Sequence, residues 1–466
     1  MATLLSPTEQ RPGRVLIAVS ALLVGWYIIS SILTWRRLRH VPGPFLASFS
    51  YIWIGRIASR GGLHEAYKDI GEKYGQLVRV GPNELLTSDP ELVRKMGSTK
   101  STYTRGAFYE GNRFNPYHPT MFTILDTQKH DELKTRLIPG YSGRDVTNHE
   151  LAVDEQISNM ISLIRRKYIS VPEAGTFRQF SLIKPLTYFA LDVIFNLSVG
   201  KHTSGEPGCS ELDEDPLTNP IIRERFADRE SGNETKKKDM VASFMAHGLT
   251  QAQCEVETLF MFVAGSDATA AAMKITMLYI LSTPRVYQQL KAEIATALRE
   301  GKASSPITQS EARALPYLQA VIYEGLRIRP VTASALSKMV PPEGDTVHGK
   351  FIPGGVVIGA NTSALLRSRE MFGPDADTFR PERFLGLEEG RLAEMRRNVE
   401  LTFGYGRWMC AGKPIAFMEL NKVYFELLRN FDFQLLDPER PIISESYAIF
   451  KDVGLRVRAT EARDME

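Results

Sequence analysis

The hydrophobic pattern opens with a run of 21 uncharged residues, Val15 to Trp35. As a helix, at 1.5 Å per residue, it spans about 31 Å, close to the hydrocarbon thickness of a bilayer. Arg11 and Arg14 precede it; Arg36, Arg37, Arg39 and His40 follow. Trp26, Tyr27 and Trp35 add aromatic bulk, and Trp35 sits where an interfacial anchor would. A cleaved signal peptide fits less well, because the run is long and Arg36-Arg37 stands where a small-residue cleavage site would be. Positive charge on the C-terminal side, three arginines against two, points to a body on the cytosolic side. The expected division is a tail at 1–14, a transmembrane anchor at 15–35, a basic, proline-rich hinge at 36–45 and one large body at 46–466.

Within that body the pattern is mainly helical. Val41-Pro42-Gly43-Pro44 breaks the anchor helix, since proline fixes φ and removes a donor. Strand-like pieces occur at Leu77–Val80 and Glu84–Thr87, and a β-rich patch runs through Thr346–Ala360, turning at Pro353-Gly354-Gly355. The fold class expected is therefore mainly α with a small β-rich subdomain. The longest helical pattern starts at Thr250, where Gln253 completes a capping box, and continues to Leu281 before Pro284, about 48 Å. Glu255, Glu257, Asp267 and Lys274 exclude a second membrane span. From Leu259 to Met273 every side except Ser266, Asp267 and Thr269 is apolar, as in a helix threading the centre of a large domain. Asp267 has no partner three or four residues away; buried, it would be hydrated or functional, and the alternative is a carboxylate facing a solvent cleft. Lys201–Asp239 is polar and poorly periodic, and Lys236-Lys237-Lys238 reads as solvated loop. The sequons at Asn196, Asn233 and Asn361 read as chance in a cytosolic body.

Composition refines this only at the margins. Hydrophobic residues make up 43% and charged residues 24% of 466, which excludes a disordered chain. A net charge of +3 demands no nucleic-acid partner. Cys209, Cys254 and Cys410 are odd in number and sparse, which argues against a disulfide scaffold and for a reducing compartment.

Chemistry is concentrated in four segments. Phe403-Gly404-Tyr405-Gly406-Arg407-Trp408-Met409-Cys410-Ala411-Gly412 presents one cysteine just before a helix, with Pro414 in its first turn and a stripe of Ala416, Leu420, Val423, Tyr424 and Leu427. A helix N-terminus is expected to lower the thiol pKa, and the glycines to let backbone approach a flat cofactor. Glu324-Gly325-Leu326-Arg327 is by itself an ordinary i, i+3 pair; Phe379-Arg380-Pro381-Glu382-Arg383-Phe384 follows about fifty residues later. Ala264-Gly265-Ser266-Asp267-Ala268-Thr269 lies in the long helix. His130 and Lys134 share one helical face.

These segments resemble, in order, the motifs of the cytochrome P450 family, over residues from about 41 to 460. The resemblance implies a cytochrome P450-like fold in which Cys410 thiolate is the axial ligand of haem b iron, donating electron density that favours O–O cleavage. Phe403, Gly404, Gly406, Arg407 and Gly412 would line the cofactor. The family's arginine two residues before the cysteine is Trp408 here and Arg407 comes one earlier, so the group that meets the haem propionate is open. His130 and Lys134 stand where the family has a propionate clamp; a solvated helix face is an equal reading. Glu324, Arg327 and Arg383 are implied to form a buried charge triad. Asp267 would relay protons, Gly265 would leave room for O2, and Thr269 alone remains of the usual threonine pair, because Ala268 replaces the first. The implied activity is insertion of one oxygen atom into a lipophilic small molecule, with electrons from NADPH through a reductase docking near Arg407 and Lys413, at the endoplasmic reticulum membrane. Gly412 to Leu420 most resembles membrane-anchored fungal enzymes of secondary metabolism. The candidate substrate-facing stretches are Tyr103–Phe114, Met261–Ala268, Val331–Ser334 and Tyr447–Ile449. Region 201–239 is unusually short where the family roofs its cavity with two long helices, from an open cavity or a truncated gene model. Alternatives are a haem-thiolate isomerase, dehydratase or coupling enzyme, or a haem protein without turnover.

Overall fold

The computed structural model describes residues 10–146, 148–200, 218–232 and 238–463. Helix α1 (Gln10–Leu38) carries the apolar run and continues past it through Arg36 and Arg37, so the hinge begins as helix. Gly13–Leu38 is long and apolar enough to cross a membrane, with mean hydropathy 2.3 over its most apolar stretch. A 3-10 turn, Phe45–Ser48, follows the Pro-Gly-Pro break. Next come α2 (Ile52–Ala58), α3 (Leu63–Tyr74), β1 (Leu77–Gly81), β2 (Glu84–Thr87), α4 (Pro90–Gly97) and β3 (Thr104–Arg105).

The helical half contains α5 (Thr127–Tyr141), α6 (His149–Leu163), β4 (Phe180–Ser181), α7 (Ile183–Val199), α8 (Thr218–Glu230), α9 (Met240–Ala246), α10 (Gln251–Ser282), α11 (Pro284–Arg299), α12 (Gln309–Arg313) and α13 (Pro316–Ile328). Helix α10 starts where its capping box predicts: Thr250 accepts from the Gln253 N–H, and the Gln253 side chain answers to the Thr250 N–H. It runs through the core against α7, α8, α13 and α17 (Lys413–Asn430). A Cβ at Gly265 would meet the Ile194 side chain at 3.0 Å, so this glycine lets α7 and α10 approach closely.

The remaining elements are β5 (Lys338–Met339), β6 (Asp345–Val347), β7 (Lys350–Ile352), β8 (Val357–Ala360), α14 (Thr362–Leu365), α15 (Arg369–Phe372), α16 (Glu389–Val399) and, after α17, β9 (Phe431–Leu435), β10 (Ile442–Ser446), β11 (Phe450–Gly454) and β12 (Arg456–Glu461). The principal sheet has the order β1-β2-β8-β5-β3, with β2 and β8 parallel and Glu84 opposite Val357. The β-rich patch thus splits into a hairpin, β6–β7, and a strand that joins the N-terminal sheet. Asn361 is 1% exposed and donates to the Tyr67 carbonyl at 2.7 Å, so its sequon has a structural role.

Region 201–239 differs from the loop expected. Residues 201–217 and 233–237, with Cys209, Asn233 and most of the lysine run, lie outside the described residues. Between them α8 is ordinary helix: Ile222 is fully buried, and Arg225 makes a bidentate pair with Asp239 at 2.6 and 2.8 Å. Asp239 also caps α9 through the Ala242 N–H. One buried ion pair therefore ties a short helix, itself packed against α10, to the start of α9, where periodicity alone gave little sign of a helix.

Candidate active site

The loop before α17 is built on backbone contacts. The Cys410 N–H donates to the Phe403 carbonyl at 2.7 Å, closing the loop. Gly404 (φ 76°) and Gly406 (φ 55°) take left-handed conformations. A Cβ on Gly404 would lie 2.8 Å from the Trp408 carbonyl, and one on Gly406 would lie 2.4 Å from the Gly97 carbonyl. Their smallness therefore lets the loop fold on itself and on the end of α4. Cys410 is open to solvent at its surface, while protein crowds the rest of its surroundings. Desolvation raises its pKa; the Gly412 and Lys413 N–H groups and the Lys134 amine pull the other way and do not outweigh it. The depressed thiol expected from the helix N-terminus is thus corrected: burial outweighs the N–H groups around it.

Helix α5 braces this loop. Lys134 donates to the carbonyls of Arg407 at 2.6 Å and Met409 at 2.9 Å. The His130 ring lies 4.4 Å from the Trp408 ring, and burial lowers its pKa to about 4, which keeps it neutral. Arg407 pairs with Asp131 at 2.9 Å, and Lys413 pairs with Glu400 at 2.7 Å. Neither is the free surface cation expected for reductase docking.

Trp408 collects two cations that the motifs did not indicate. The Arg105 guanidinium lies 4.4 Å from its ring and the Lys338 amine 5.2 Å. Both residues are 6% exposed. Arg105 donates to the carbonyls of Met121 at 2.6 Å and Ile124 at 3.1 Å, and its Nε has no partner. Lys338 donates to the Tyr109 hydroxyl at 2.7 Å. Neither pairs with a carboxylate among the described residues. Burial lowers the Arg105 pKa to about 10 and pushes Lys338 well below its ordinary value. The only sequence trace was a lysine set between Leu336 and Met339-Val340.

Glu324 and Arg327 are fully buried, and Arg383 is 4% exposed. Glu324 receives Arg327 at 2.6 and 2.8 Å and Arg383 Nε at 3.0 Å on both oxygens. Arg327 spends its other donors on the carbonyls of Leu366, Ala376 and Thr378. Every strong donor of the pair is used, the condition under which buried charge is tolerated.

Of the two readings of Asp267 on α10, the structure fits the solvent-facing one. Asp267 is exposed rather than buried, as are Val263 and Ala264, so this helix face opens onto solvent. Ser266 is buried and its hydroxyl donates to the Phe262 carbonyl at 2.6 Å. Thr269 is 7% exposed.

Comparison with known proteins follows the same residues. A family model for cytochrome P450 matches residues 209–451. The cytochrome P450 monooxygenase aba1 of Botryotinia fuckeliana is 42% identical, covering 92% of this chain and 93% of its own length. ABA1 of Pyricularia oryzae is 40% identical over 95% and 96% of the two chains, and gsfF of Penicillium aethiopicum is 28% identical over 96% and 97%. The aba1 alignment spans 473 positions while using 92% of 466 residues, so about forty positions face no residue here. With similarity of this extent on both chains, the protein belongs to the cytochrome P450 family of monooxygenases.

Proposed function

We propose that this chain is a haem-thiolate monooxygenase that inserts one oxygen atom into a lipophilic small molecule in fungal secondary metabolism. The observation that carries the reading is the pairing of a solvent-open thiol, Cys410, with two buried basic side chains beside Trp408, Arg105 and Lys338, that lack carboxylate partners among the described residues. That donor set fits haem b, whose iron would take a soft thiolate and whose two propionates would take positive charge. Cys410 would hold the iron, and Arg105 and Lys338 the propionates; His130 would only pack against Trp408, and Lys134 would hold the loop. Bound there, haem would supply the centre at which O2 is activated.

The protein's own contribution is positional. Lys134 and the Phe403 carbonyl fix the loop that aims Cys410. The Glu324–Arg327–Arg383 triad locks the core beneath it. Asp267, exposed on the open face of α10, is placed to exchange protons with water. Electrons would come from NADPH through a membrane-bound reductase, with α1 in the endoplasmic reticulum membrane and the body in the cytosol. A shortened 201–239 region, unless it reflects a truncated gene model, would leave the substrate cleft more open than two long roofing helices.

One observation favours a second reading, a haem-thiolate isomerase, dehydratase or coupling enzyme. Ala268 has no hydroxyl, and that of Ser266 is committed to its own helix. Expressing the full chain with a reductase in yeast tests both. A thiolate-type reduced carbon-monoxide spectrum is expected from the native chain and not from Cys410→Ala; product formation that needs NADPH and O2 supports oxygenation. Turnover without either would establish the second reading.

A further inference from the structure

One residue of the segment before α5 is gripped from both sides. Met121 donates its backbone N–H to Oε1 of Glu257 on α10, and its carbonyl accepts from the Arg105 guanidinium at 2.6 Å. Arg105, on β3, also reaches the Ile124 carbonyl at 3.1 Å. An acid from the central helix and a base from the principal sheet thus meet across one short piece of chain.

That piece is tightly tied. The Thr120 N–H donates to the Thr123 hydroxyl at 2.8 Å, and the N–H groups of Thr123 and Ile124 return to the Thr120 carbonyl at 2.9 and 3.1 Å. Thr120 is 2% exposed and Thr123 is fully buried. Phe122 between them stacks on Phe260 of α10, with ring centroids 5.2 Å apart, and meets the Tyr109 ring edge-on at 5.1 Å. A close-packed turn of this kind passes a displacement of one grip on to the other.

Glu257 and Arg105 also share a loose end. Oε2 of Glu257 and Nε of Arg105 are both buried, and neither has a hydrogen-bond partner among the described residues. The acids acting on Arg105 are Asp131, which is taken by Arg407, and Glu257. Arg105 faces Glu257 from β3, and the Tyr141 phenol faces it from α5. On α10 itself, Cys254 is buried and Glu255 pairs with Arg223 at 3.3 Å. Arg225 of α8, which acts on Cys254, is taken by Asp239. Helix α9 and residues 196–199 of α7 carry no ionisable side chain. Burial outweighs Arg105 and the Met121 N–H and lifts the Glu257 pKa to about 8, so near neutrality the carboxyl is an uncharged neighbour.

We propose that Glu257 is a positioning residue for the cofactor, setting through Met121 where the Arg105 guanidinium stands and leaving it free for a haem propionate. The inference rests on the reading that Arg105 serves a propionate, and the test separates the two. Ionised, Glu257 would place a negative charge beside the same guanidinium, so the hold on an anionic cofactor weakens as pH rises through its titration. The full-length holoprotein in detergent is mixed with excess apomyoglobin at about pH 7 and about pH 9.5, and haem transfer is timed by absorbance. The native chain is expected to release haem roughly tenfold faster at the higher pH. Glu257→Gln keeps an acceptor for Met121 and cannot ionise, so its rate should rise no more than about twofold. Arg105→Gln should release haem at least roughly tenfold faster than the native chain at the lower pH. A Glu257→Gln profile as steep as the native one, or a native profile as flat as the variant's, overturns the proposal; fast release from Arg105→Gln then leaves the propionate reading standing. Native-like retention by Arg105→Gln overturns that reading, and the proposal with it.

Discussion

The guanidinium of Arg407 lies 2.9 Å from the carboxylate of Asp131 on α5. Its terminal nitrogen donates to the Thr99 carbonyl at 2.6 Å. The arginine nearest Cys410 in the chain is therefore committed away from the thiol. The positive charge beside Trp408 comes instead from Arg105 and Lys338, on strands β3 and β5, which pair antiparallel with Arg105 opposite Lys338. A local motif has been replaced by a cross-strand pair of cations held on an aromatic ring.

Trp408→Arg would write the commoner family residue into this loop, and it is expected to harm the protein. It removes the ring under two buried cations, each contact worth about 0.5–2 kcal/mol, and adds a third positive charge. Thermal unfolding and the haem-to-protein ratio of purified enzyme should both fall. A rise in either would show that Arg105 and Lys338 do not carry the anionic groups of the cofactor.

Arg327→Ala leaves Glu324 with one cation and strips the buried Leu366 and Ala376 carbonyls of their donor. A loss of about 3–5 kcal/mol is expected, with little haem retained. Arg327→Lys should rescue poorly, because one ammonium cannot reproduce the fork that reaches Glu324 and three carbonyls. Denaturant melts of both variants check this; a near-native Lys variant would contradict it.

Ala268→Thr supplies a hydroxyl at the position where α10 lacks one. The share of NADPH electrons recovered in product should rise, and peroxide release should fall by at least roughly threefold. Simultaneous assay of NADPH, peroxide and product decides it. An unchanged ratio would mean that Asp267 and water already suffice.

Glu257 is 1% exposed, and its Oε2 has no partner. Burial raises its pKa from 4.5 to about 8, against the Met121 N–H and Arg105, which lower it. The folded protein therefore keeps a proton that the unfolded chain gives up above pH 4.5, and stability drains as pH rises toward 8. Glu257→Gln removes that dependence. The variant should match the parent near pH 4.5 and gain on it up to about pH 8, by an amount on the order of a few kcal/mol, then hold constant. Paired melts across that range check the sign; a constant difference throughout would refute it.

Features set by neighbours in sequence were legible before the fold. The α10 capping box at Thr250 and the stop before Pro284 are local signals, and the helix runs Gln251–Ser282. Strands β1 and β2 and the reach from Glu324 to Arg383 were legible for the same reason: their residues carry period or motif. What escaped depends on packing across the chain. Nothing near Arg105 or Lys338 announces that β3 and β5 pair beneath Trp408. Hydrophobic period made Asp267 one polar position on an apolar helix, yet cannot say which face opens to solvent. Helix α8 escaped because its short apolar face, Ile222 and Phe226, was lost in a polar stretch, and the ion pair that seats it is tertiary.

Arg79 is 1% exposed and donates to five carbonyls, those of Thr34 and Trp35 in α1, Ser48 in the 3-10 turn, and Gly81 and Pro82 at the β1–β2 turn. Two of its five carbonyl acceptors, Thr34 and Trp35, belong to the anchor, and each hydrogen bond to a charged group contributes about 1.5–3 kcal/mol. A soluble version trimmed of its first forty residues would have to close around a cation short of two partners, and should melt earlier than the whole protein. Synthesis runs from the N-terminus, so those carbonyls are already in place when residue 79 leaves the ribosome. The globular part thus matures upon a post already planted.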